Sequence, residues 1–187
     1  MSESKKIVLG VSGSIAAHKA IDLASLLTKA GCVVDVVLTH DAQEFVKSLP
    51  FQTLTRRRVI TSLYVEEGTG VAHIRAADQA DLLLIAPATA NTLAKLALGL
   101  ADDPLSCVAL ALRPEAKVLV AAAMNGKMWR HPATVANVAT LTAWGAEFVG
   151  PDEGLLSCGY EGIGRLWPVD GIASRALELL GLEQASD

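Results

Sequence analysis

Cysteine is scarce in this sequence, and the cysteines that occur follow no recognisable pattern. Cys32, Cys107 and Cys158 are odd in number and lack the spacing of a metal site or of a disulfide framework. Structural disulfides belong mainly to oxidising compartments. We therefore predict a protein of a reducing, cytoplasmic compartment without a metal centre, in which any functional cysteine acts through its chemistry.

Long apolar runs and a strong net charge are also missing. No apolar stretch approaches the roughly 18 residues of a membrane-spanning helix. The basic pair near the N-terminus precedes only a short apolar run, which is typical of a strand and not of a signal peptide. The formal net charge of −4 indicates no basic surface for nucleic acid or for an anionic membrane. We expect neither as a partner.

What the sequence does contain is a regular alternation of short apolar runs and helix-forming segments. Half of the residues are apolar, and alanine, leucine and valine dominate. The pattern predicts a single domain over residues 1–187 with an α/β fold: a doubly wound, Rossmann-like (flavodoxin-like) parallel sheet with helices on both faces. The predicted strands are 7–11, 33–38, 82–86, 117–123 and 147–149, and the predicted helices include 15–29, 41–47, 133–143 and 169–180.

The stretch 81–95, DLLLIAPATANTLAK, is the centre of the predicted site. Its apolar start fits a buried parallel strand, and Pro87, which has no N–H to donate, is expected to end that strand. A polar turn and a helix from Thr92 follow. The start of such a helix attracts anions, and open α/β sheets bind ligands at the carboxyl ends of their strands. The alternative is that Thr89 and Asn91 only cap the helix.

Other predicted strands end in polar turns that would face the same edge of the sheet. Ser12, Gly13 and Ser14 form a turn that suits a phosphate cradle, although it is not GxGxxG and an ordinary capped turn is equally compatible. Thr39 ends the second strand. The segment 124–129, MNGKMW, follows the strand at 117–123.

Between these turns lie chemistry-bearing residues whose interpretation stays open. His73 stands between apolar residues just before a helix, where a packed histidine is the simpler explanation. The arginine triplet at 56–58, within an irregular segment 50–61, fits either a solvated face or an anion site. Asp102 and Asp103 precede a proline, which indicates a turn more than acid–base chemistry.

The segment 150–164, GPDEGLLSCGYEGIG, carries five glycines and Cys158. It is too long for a simple connection between two elements of a compact domain. We therefore predict that it forms a mobile lid or clamp over the site.

Five motifs occur together, in one order, in this chain: SGSIAA, VxHI, IAPATANTLAKLALGLADD, MNxxMW followed by HPAT, and SCGxxGxGR. With this set the chain resembles the flavin-containing cysteine decarboxylases, and within them the branch that acts on 4′-phosphopantothenoylcysteine. The resemblance extends from about residue 7 to residue 167, which is nearly the whole chain.

The resemblance implies an FMN-dependent enzyme that converts 4′-phosphopantothenoylcysteine to 4′-phosphopantetheine in coenzyme A biosynthesis. Loss of CO₂ from a cysteine carboxylate leaves a carbanion that the neighbouring amide does not stabilise. In the implied reaction the flavin oxidises the thiol to a thioaldehyde, CO₂ leaves, and the same flavin reduces the product. The resemblance also implies a homotrimer or dodecamer with FMN at the subunit interface.

The resemblance further assigns roles to individual residues. The implied FMN-binding residues are Gly13, Ser14, Ile15, Thr39, Phe45, Thr89, Ala90, Asn91 and Thr92. The implied catalytic residues are His73, which assists thiol oxidation, Asn125, which holds the substrate carboxylate, and Cys158, which donates a proton in the final reduction. Further implied substrate contacts are Met124, Arg75, Gly159 and Arg165.

Departures from the family pattern keep other functions open. Ala122 replaces a usual proline. Asp78 and Gln79 stand where the family tends to have a basic residue followed by tryptophan. Arg75 is the nearest residue that could replace the missing basic contact to the substrate. The main alternative is oxidative decarboxylation of a peptide's C-terminal cysteine, which SCGYEGIGR makes less favoured. A non-catalytic regulatory flavoprotein is an alternative of another class, and a flavin prenyltransferase, which shares the fold but not MNxxMW, is a third.

Overall fold

The computed structural model describes residues 4–64, 71–155, 159 and 161–182. Its central sheet has six parallel strands in the order β3-β2-β1-β4-β5-β6. The strands are β1 (Lys6–Val11), β2 (Val33–Leu38), β3 (Val59–Ile60), β4 (Leu82–Ala88), β5 (Lys117–Ala122) and β6 (Ala146–Val149). The chain winds from β1 outward to β3 and then crosses back to β4. This confirms the predicted doubly wound sheet and places its topological switch point between β1 and β4.

Helices cover both faces of the sheet, as predicted. One face carries α1 (Lys19–Lys29), α2 (Ser48–Thr55) and α8 (Val169–Leu179). The other carries α3 (Ala72–Gln79), α4 (Ala90–Leu98), α5 (Pro104–Leu110) and α7 (Pro132–Ala143), while α6 (Gly126–Trp129) is a single turn after β5. Successive side chains of β1 alternate between the two cores, with Ile7 in the first and Val8 in the second.

The apolar sequence of β4 reflects its burial on both faces, since every residue of the strand is buried. The prediction that Pro87 ends this strand was wrong, because β4 continues to Ala88. The pairing with β5 shifts register between Ile85 and Ala88, which accommodates the missing N–H. The carbonyl of Pro87 still accepts a bond, from the backbone N–H of Ser12 at 3.2 Å.

Helix boundaries follow the capping residues in part. α4 ends at Gly99, whose φ of 68° suits glycine, and α7 begins at its proline as predicted. The predicted helix 15–29 starts instead with a 3₁₀ turn, Ile15–His18, and the predicted helix 41–47 is only the 3₁₀ turn Asp41–Glu44. The segment 50–61, predicted to be irregular, contains most of α2 and the whole of β3, which was not predicted. A proline is tolerated in the first turn of α2 because the N–H that it lacks has no helical partner there.

The acidic pair is structural. Asp103 caps α5, and its carboxylate accepts the N–H groups of Leu105 and Ser106, each at 2.9 Å. Lys95 Nζ lies 2.7 Å from Asp102 and 2.8 Å from Asp103. The prediction of a turn at this pair is confirmed, and α5 after it is an element that the sequence reading did not include.

A second, two-stranded sheet follows β6. β7 (Asp152–Leu155) and β8 (Glu161–Arg165) pair antiparallel. Much of the described part of the glycine-rich segment thus forms strands, while its predicted role as a lid or clamp stays a prediction. The strictly alternating pattern of strand and helix was wrong here, because antiparallel strands need no crossover helix. Residues 156–158 and 160, and with them Cys158, lie outside the described residues.

Among the helices in these described ranges, none is both long enough and apolar enough to cross a membrane.

Candidate active site

A cavity of about 590 Å³ lies at the carboxyl ends of β1, β4 and β5, next to the switch point of the sheet. The turn after each of these strands forms part of its wall, and residues of β7 and β8 also line it. The predicted residues that line the cavity are Gly13, Ser14, Ile15, Thr89, Ala90, Asn91, Met124, Asn125 and Arg165. Three turns that are far apart in sequence therefore meet at one site.

The turn after β1 is shaped by close contact with the turn after β2. A Cβ atom on Gly13 would lie 2.4 Å from the Cβ of Asp41, so only glycine fits between the two turns. Ser14 caps the 3₁₀ turn by accepting the N–H of Ala16 at 3.2 Å. Ile15 remains 58% exposed beside the cavity, which leaves an apolar side chain at its rim.

Ser12 joins the first turn to the turn after β4. Its hydroxyl donates to the carbonyl of Pro87 at 2.8 Å and accepts the N–H of Thr89 at 3.0 Å, and the side chain is buried. Sequence reasoning placed Ser12 in the turn but missed this connection. No local signal could reveal it, because the partners are more than 70 residues away along the chain.

The ATANT turn starts α4 at the cavity wall. Thr89 is the N-cap of α4, and its Oγ1 accepts the N–H of Thr92 at 3.3 Å and lies 3.1 Å from the hydroxyl of Thr92. Thr92 is itself buried and does not line the cavity, whereas Ala90 and Asn91 do. The turn thus both caps the helix and presents its positive end to the cavity.

Thr39 and Phe45 lie apart from this cavity in the single chain. Thr39 is buried, and its hydroxyl accepts the N–H of Ala42 at 3.2 Å. Phe45 is 48% exposed and is not among the lining residues. Asp41, between the two, does line the cavity, so the turn after β2 reaches the site through a different residue from those predicted.

The turn after β5 is held against β8. The N–H of Met124 donates to the carbonyl of Gly164 at 3.0 Å. Asn125 is the N-cap of α6, and its Oδ1 accepts the N–H of Lys127 at 2.8 Å, which fixes the orientation of the amide. A Cβ on Gly126 would lie 2.5 Å from the carbonyl oxygen of Ile163, so strand and turn are in backbone contact.

Arg165 extends from the end of β8 into the cavity wall. Its Nη2 donates to Asp152 at 2.7 Å across the β7–β8 pair. The hydrogen bond from Arg165, helped by the backbone N–H of Glu153, holds the pKa of Asp152 below its ordinary value. The pair is partly exposed, so its main consequence is to orient the guanidinium beside the cavity.

Besides Thr39, Phe45 and Thr92, three further predicted residues of the described chain do not line this cavity. His73 is the second residue of α3 and is half-buried, but it does not line the cavity. Arg75, on the same helix, lines a different cavity. Gly159 is exposed with a φ of 83°, and Cys158 beside it is outside the described residues.

Other side chains line the cavity that sequence reasoning did not include. They are Ala16, His18, Lys19, Asp41, Ala123, Met128, Leu155 and Leu166. His18 lies with its Nδ1 2.7 Å from the carbonyl of Ile15. The position of His18 and Lys19 directly after the first turn was the available signal, whereas Leu155 required knowledge of the second sheet.

A family model described as Flavoprotein matches residues 1–181. Among curated proteins, the chain is 45% identical over 178 residues to a probable phosphopantothenoylcysteine decarboxylase of Streptococcus mutans, covering 95% of this chain and 99% of the relative. It is also 45% identical over 177 residues to the coenzyme A biosynthesis bifunctional protein CoaBC of Bacillus subtilis. That match covers 94% of this chain but only 43% of the bifunctional relative.

The chain is also similar to solved structures of decarboxylases. A PPC decarboxylase variant in complex with pantothenoylaminoethenethiol is 30% identical, with a TM-score of 0.85 over 96% of this chain and 100% of the other. The FMN-dependent cysteine decarboxylase SpaF is also 30% identical, with a TM-score of 0.80 over 94% of this chain and 97% of the other.

Proposed function

The chain belongs to the flavoprotein family, and on that premise we propose that it binds FMN and decarboxylates 4′-phosphopantothenoylcysteine to 4′-phosphopantetheine in coenzyme A biosynthesis. The observation that carries the proposal is the convergence of the SGS, ATAN and MN turns on one cavity. The 45% identity to a relative of the same length that is named as this decarboxylase supports the choice of substrate.

The residues around the cavity fit FMN. Its volume of about 590 Å³ lies within the roughly 300–1,000 Å³ of ligand sites. Ser14 and the start of α4 offer hydroxyl and N–H groups that suit a phosphate, and Lys19 adds a cationic side chain to the same wall. Ile15 and Leu155 provide apolar surface for a ring. When bound, FMN would supply an acceptor for the electron pair released on thiol oxidation and would return it after CO₂ is lost.

Asn125 is proposed to hold the substrate carboxylate. Because its Oδ1 accepts the N–H of Lys127, the amide nitrogen is the end of the side chain that can donate. An amide donor binds a carboxylate without adding a charge, so it can orient the group without opposing its departure as neutral CO₂. Arg165, oriented by Asp152, is proposed as a second substrate contact at the same wall.

His73 and the clamp are proposed to complete the site. His73 would accept or share the thiol proton during oxidation, and Cys158 would donate a proton in the final reduction. Since His73 lies outside the cavity of its own chain, the proposal requires a second copy to supply it. A shared site of this kind agrees with the assembly that the family resemblance implies, and we propose a homotrimer, or a dodecamer of four trimers, with FMN at the interface.

The oligomer can be tested directly. Ile15, Met128 and Leu155 lie at the cavity with 49–67% of their surface exposed, and burial of such side chains favours association. We expect sedimentation equilibrium of the FMN-loaded protein to give a trimer or a multiple of it. A stable monomer that keeps both flavin and activity would contradict a shared site.

The activity can be tested by product analysis. The purified protein is expected to be yellow, with FMN as the small molecule released on denaturation. Incubated anaerobically with 4′-phosphopantothenoylcysteine and, separately, with a peptide that ends in cysteine, it should release CO₂ from the first and form 4′-phosphopantetheine by mass. Preference for the peptide, with an ene-thiol product, would favour the alternative that Asp78 and Gln79 keep open. Bound FAD, or no reaction with either substrate, would count against the proposal.

A further inference from the structure

A second, larger cavity lies at the outer edge of the sheet, beside β3. It has a volume of about 890 Å³ and lies between the end of α2, the strand β3 and the helix α3. We call it the arginine pocket, after Arg56, Arg57, Arg58 and Arg75, which line it together with Thr61 and Ser62. The arginine pocket and the candidate active site share no lining residue among those described.

The charge of the arginine pocket is opposite to that of the chain. Four arginines line it, and among the described lining residues the single carboxylate is that of Asp35. Asp35 is paired with Arg57, whose Nη2 donates to it at 3.2 Å and whose Nε makes a second, parallel bond. In a protein with a formal net charge of −4, this concentration of guanidinium groups marks a site for an anion.

The donors approach the arginine pocket from separate elements. Arg56 follows the last residue of α2, and Arg75 comes from the exposed side of α3. Ser62 accepts the N–H of Tyr64 at 3.1 Å, so its hydroxyl hydrogen can point elsewhere. Guanidinium groups and hydroxyls that line one cavity from several elements suit the oxygens of a phosphate group, for which arginine is a favoured partner.

We infer that the arginine pocket binds the phosphate of a phosphate monoester, and, resting on the proposed function, that this phosphate is the one the substrate carries. His73 and Arg75 are two residues apart on α3, so the helix that bears the proposed catalytic histidine also borders the arginine pocket. One end of the substrate would be held by its phosphate while the cysteine end reaches FMN.

Two substitutions test the inference without disturbing the fold. Arg75→Met removes the charge but keeps a long side chain of similar helix propensity. Arg56→Gly removes a charge at a position with φ of 56°, where glycine is the residue that fits best. Lys29→Met is the matched control, because Lys29 is an exposed cation at the end of α1 and does not line the arginine pocket.

For each FMN-loaded protein, kcat/KM is measured with 4′-phosphopantothenoylcysteine and with the dephosphorylated form of this substrate. Binding of radioactive inorganic phosphate is measured separately by equilibrium dialysis. Each pocket variant should lower kcat/KM for the phosphorylated substrate about 10- to 100-fold, through KM, as loss of a charged hydrogen bond does. In the pocket variants, kcat/KM for the dephosphorylated substrate should be unchanged and phosphate binding should be lost. Lys29→Met should behave as the wild type in both measurements.

The outcomes separate the two proposals. One outcome is that the pocket variants lose phosphate binding in dialysis and yet keep their preference for the phosphorylated substrate. This result would show that the arginine pocket binds a separate phosphate ligand, and it would overturn the role of the pocket in substrate binding. If the wild type decarboxylates neither substrate, the proposed function is wrong, but dialysis still shows whether the arginine pocket binds phosphate. If both phosphate binding and substrate preference survive both substitutions, the inference is wrong.

Discussion

Replacement of His73 by asparagine is expected to lower turnover by about 10²- to 10⁴-fold, which is the usual contribution of a general acid–base group. FMN content should stay normal, because the side chain lies outside the cavity that its own chain forms. Asparagine keeps a polar side chain of similar size but cannot take up and release a proton near neutral pH. Single-turnover kinetics with 4′-phosphopantothenoylcysteine should show that flavin reduction, and not substrate binding, is slowed.

His131→Asn provides a matched control for this experiment. His131 caps α7 by accepting the N–H of Ala133 at 3.2 Å, and asparagine is itself a favourable N-cap residue. The control should therefore keep its stability and its turnover. If His73→Asn turns over as fast as the control, His73 is only a packed residue of α3, and the proton transfer belongs to another group.

A second test with His73 concerns the shared site. If His73 acts on FMN held by another copy, mixing His73→Asn with an FMN-free cavity variant should restore activity in mixed oligomers. Such restoration cannot occur if each chain carries a complete site.

The sheet and the three turns of the site could be predicted because their signals are local. Buried parallel strands are continuous apolar runs, and the polar residues that follow them must lie at one edge of the sheet. Gly99 and Pro132 also act locally, and the helix boundaries that they indicated are correct. These features depend on residues within a few positions of one another.

The contacts that join the turns could not be predicted, because they connect distant parts of the chain. Ser12 binds the backbone at Pro87 and Thr89, and nothing within ten residues of Ser12 indicates those partners. The pairing of β7 with β8 was missed for a related reason. Glycine-rich strands lack the alternation of apolar and polar residues by which strands are recognised, and β8 makes a backbone contact with the turn at Asn125 that is distant in sequence.

That contact gives the last prediction. Gly164→Ala is expected to lower the melting temperature and to reduce turnover by about 10²-fold, the cost of displacing a positioning group by roughly 1 Å. Gly164 has a φ of 142°, and a Cβ there would lie 2.0 Å from the carbonyl oxygen of Met124 and 3.2 Å from the backbone nitrogen of Gly126. Because backbone atoms cannot rotate away, either β8 or the turn that carries Asn125 must move.

Gly162→Ala separates this clash from the cost of the backbone conformation. Gly162 lies on the same strand with a φ of 151°, yet a Cβ there would meet no atom within 4 Å. Both variants carry the strain of alanine at an unfavourable φ, but only Gly164→Ala adds overpacking, which typically costs about 1–3 kcal/mol. At about 2–4 °C per kcal/mol for a protein of this size, Gly164→Ala should melt several degrees below Gly162→Ala. FMN content should be equal in the two, since the SGS and ATAN turns are untouched. Equal melting temperatures and equal turnover would show that β8 does not position Asn125.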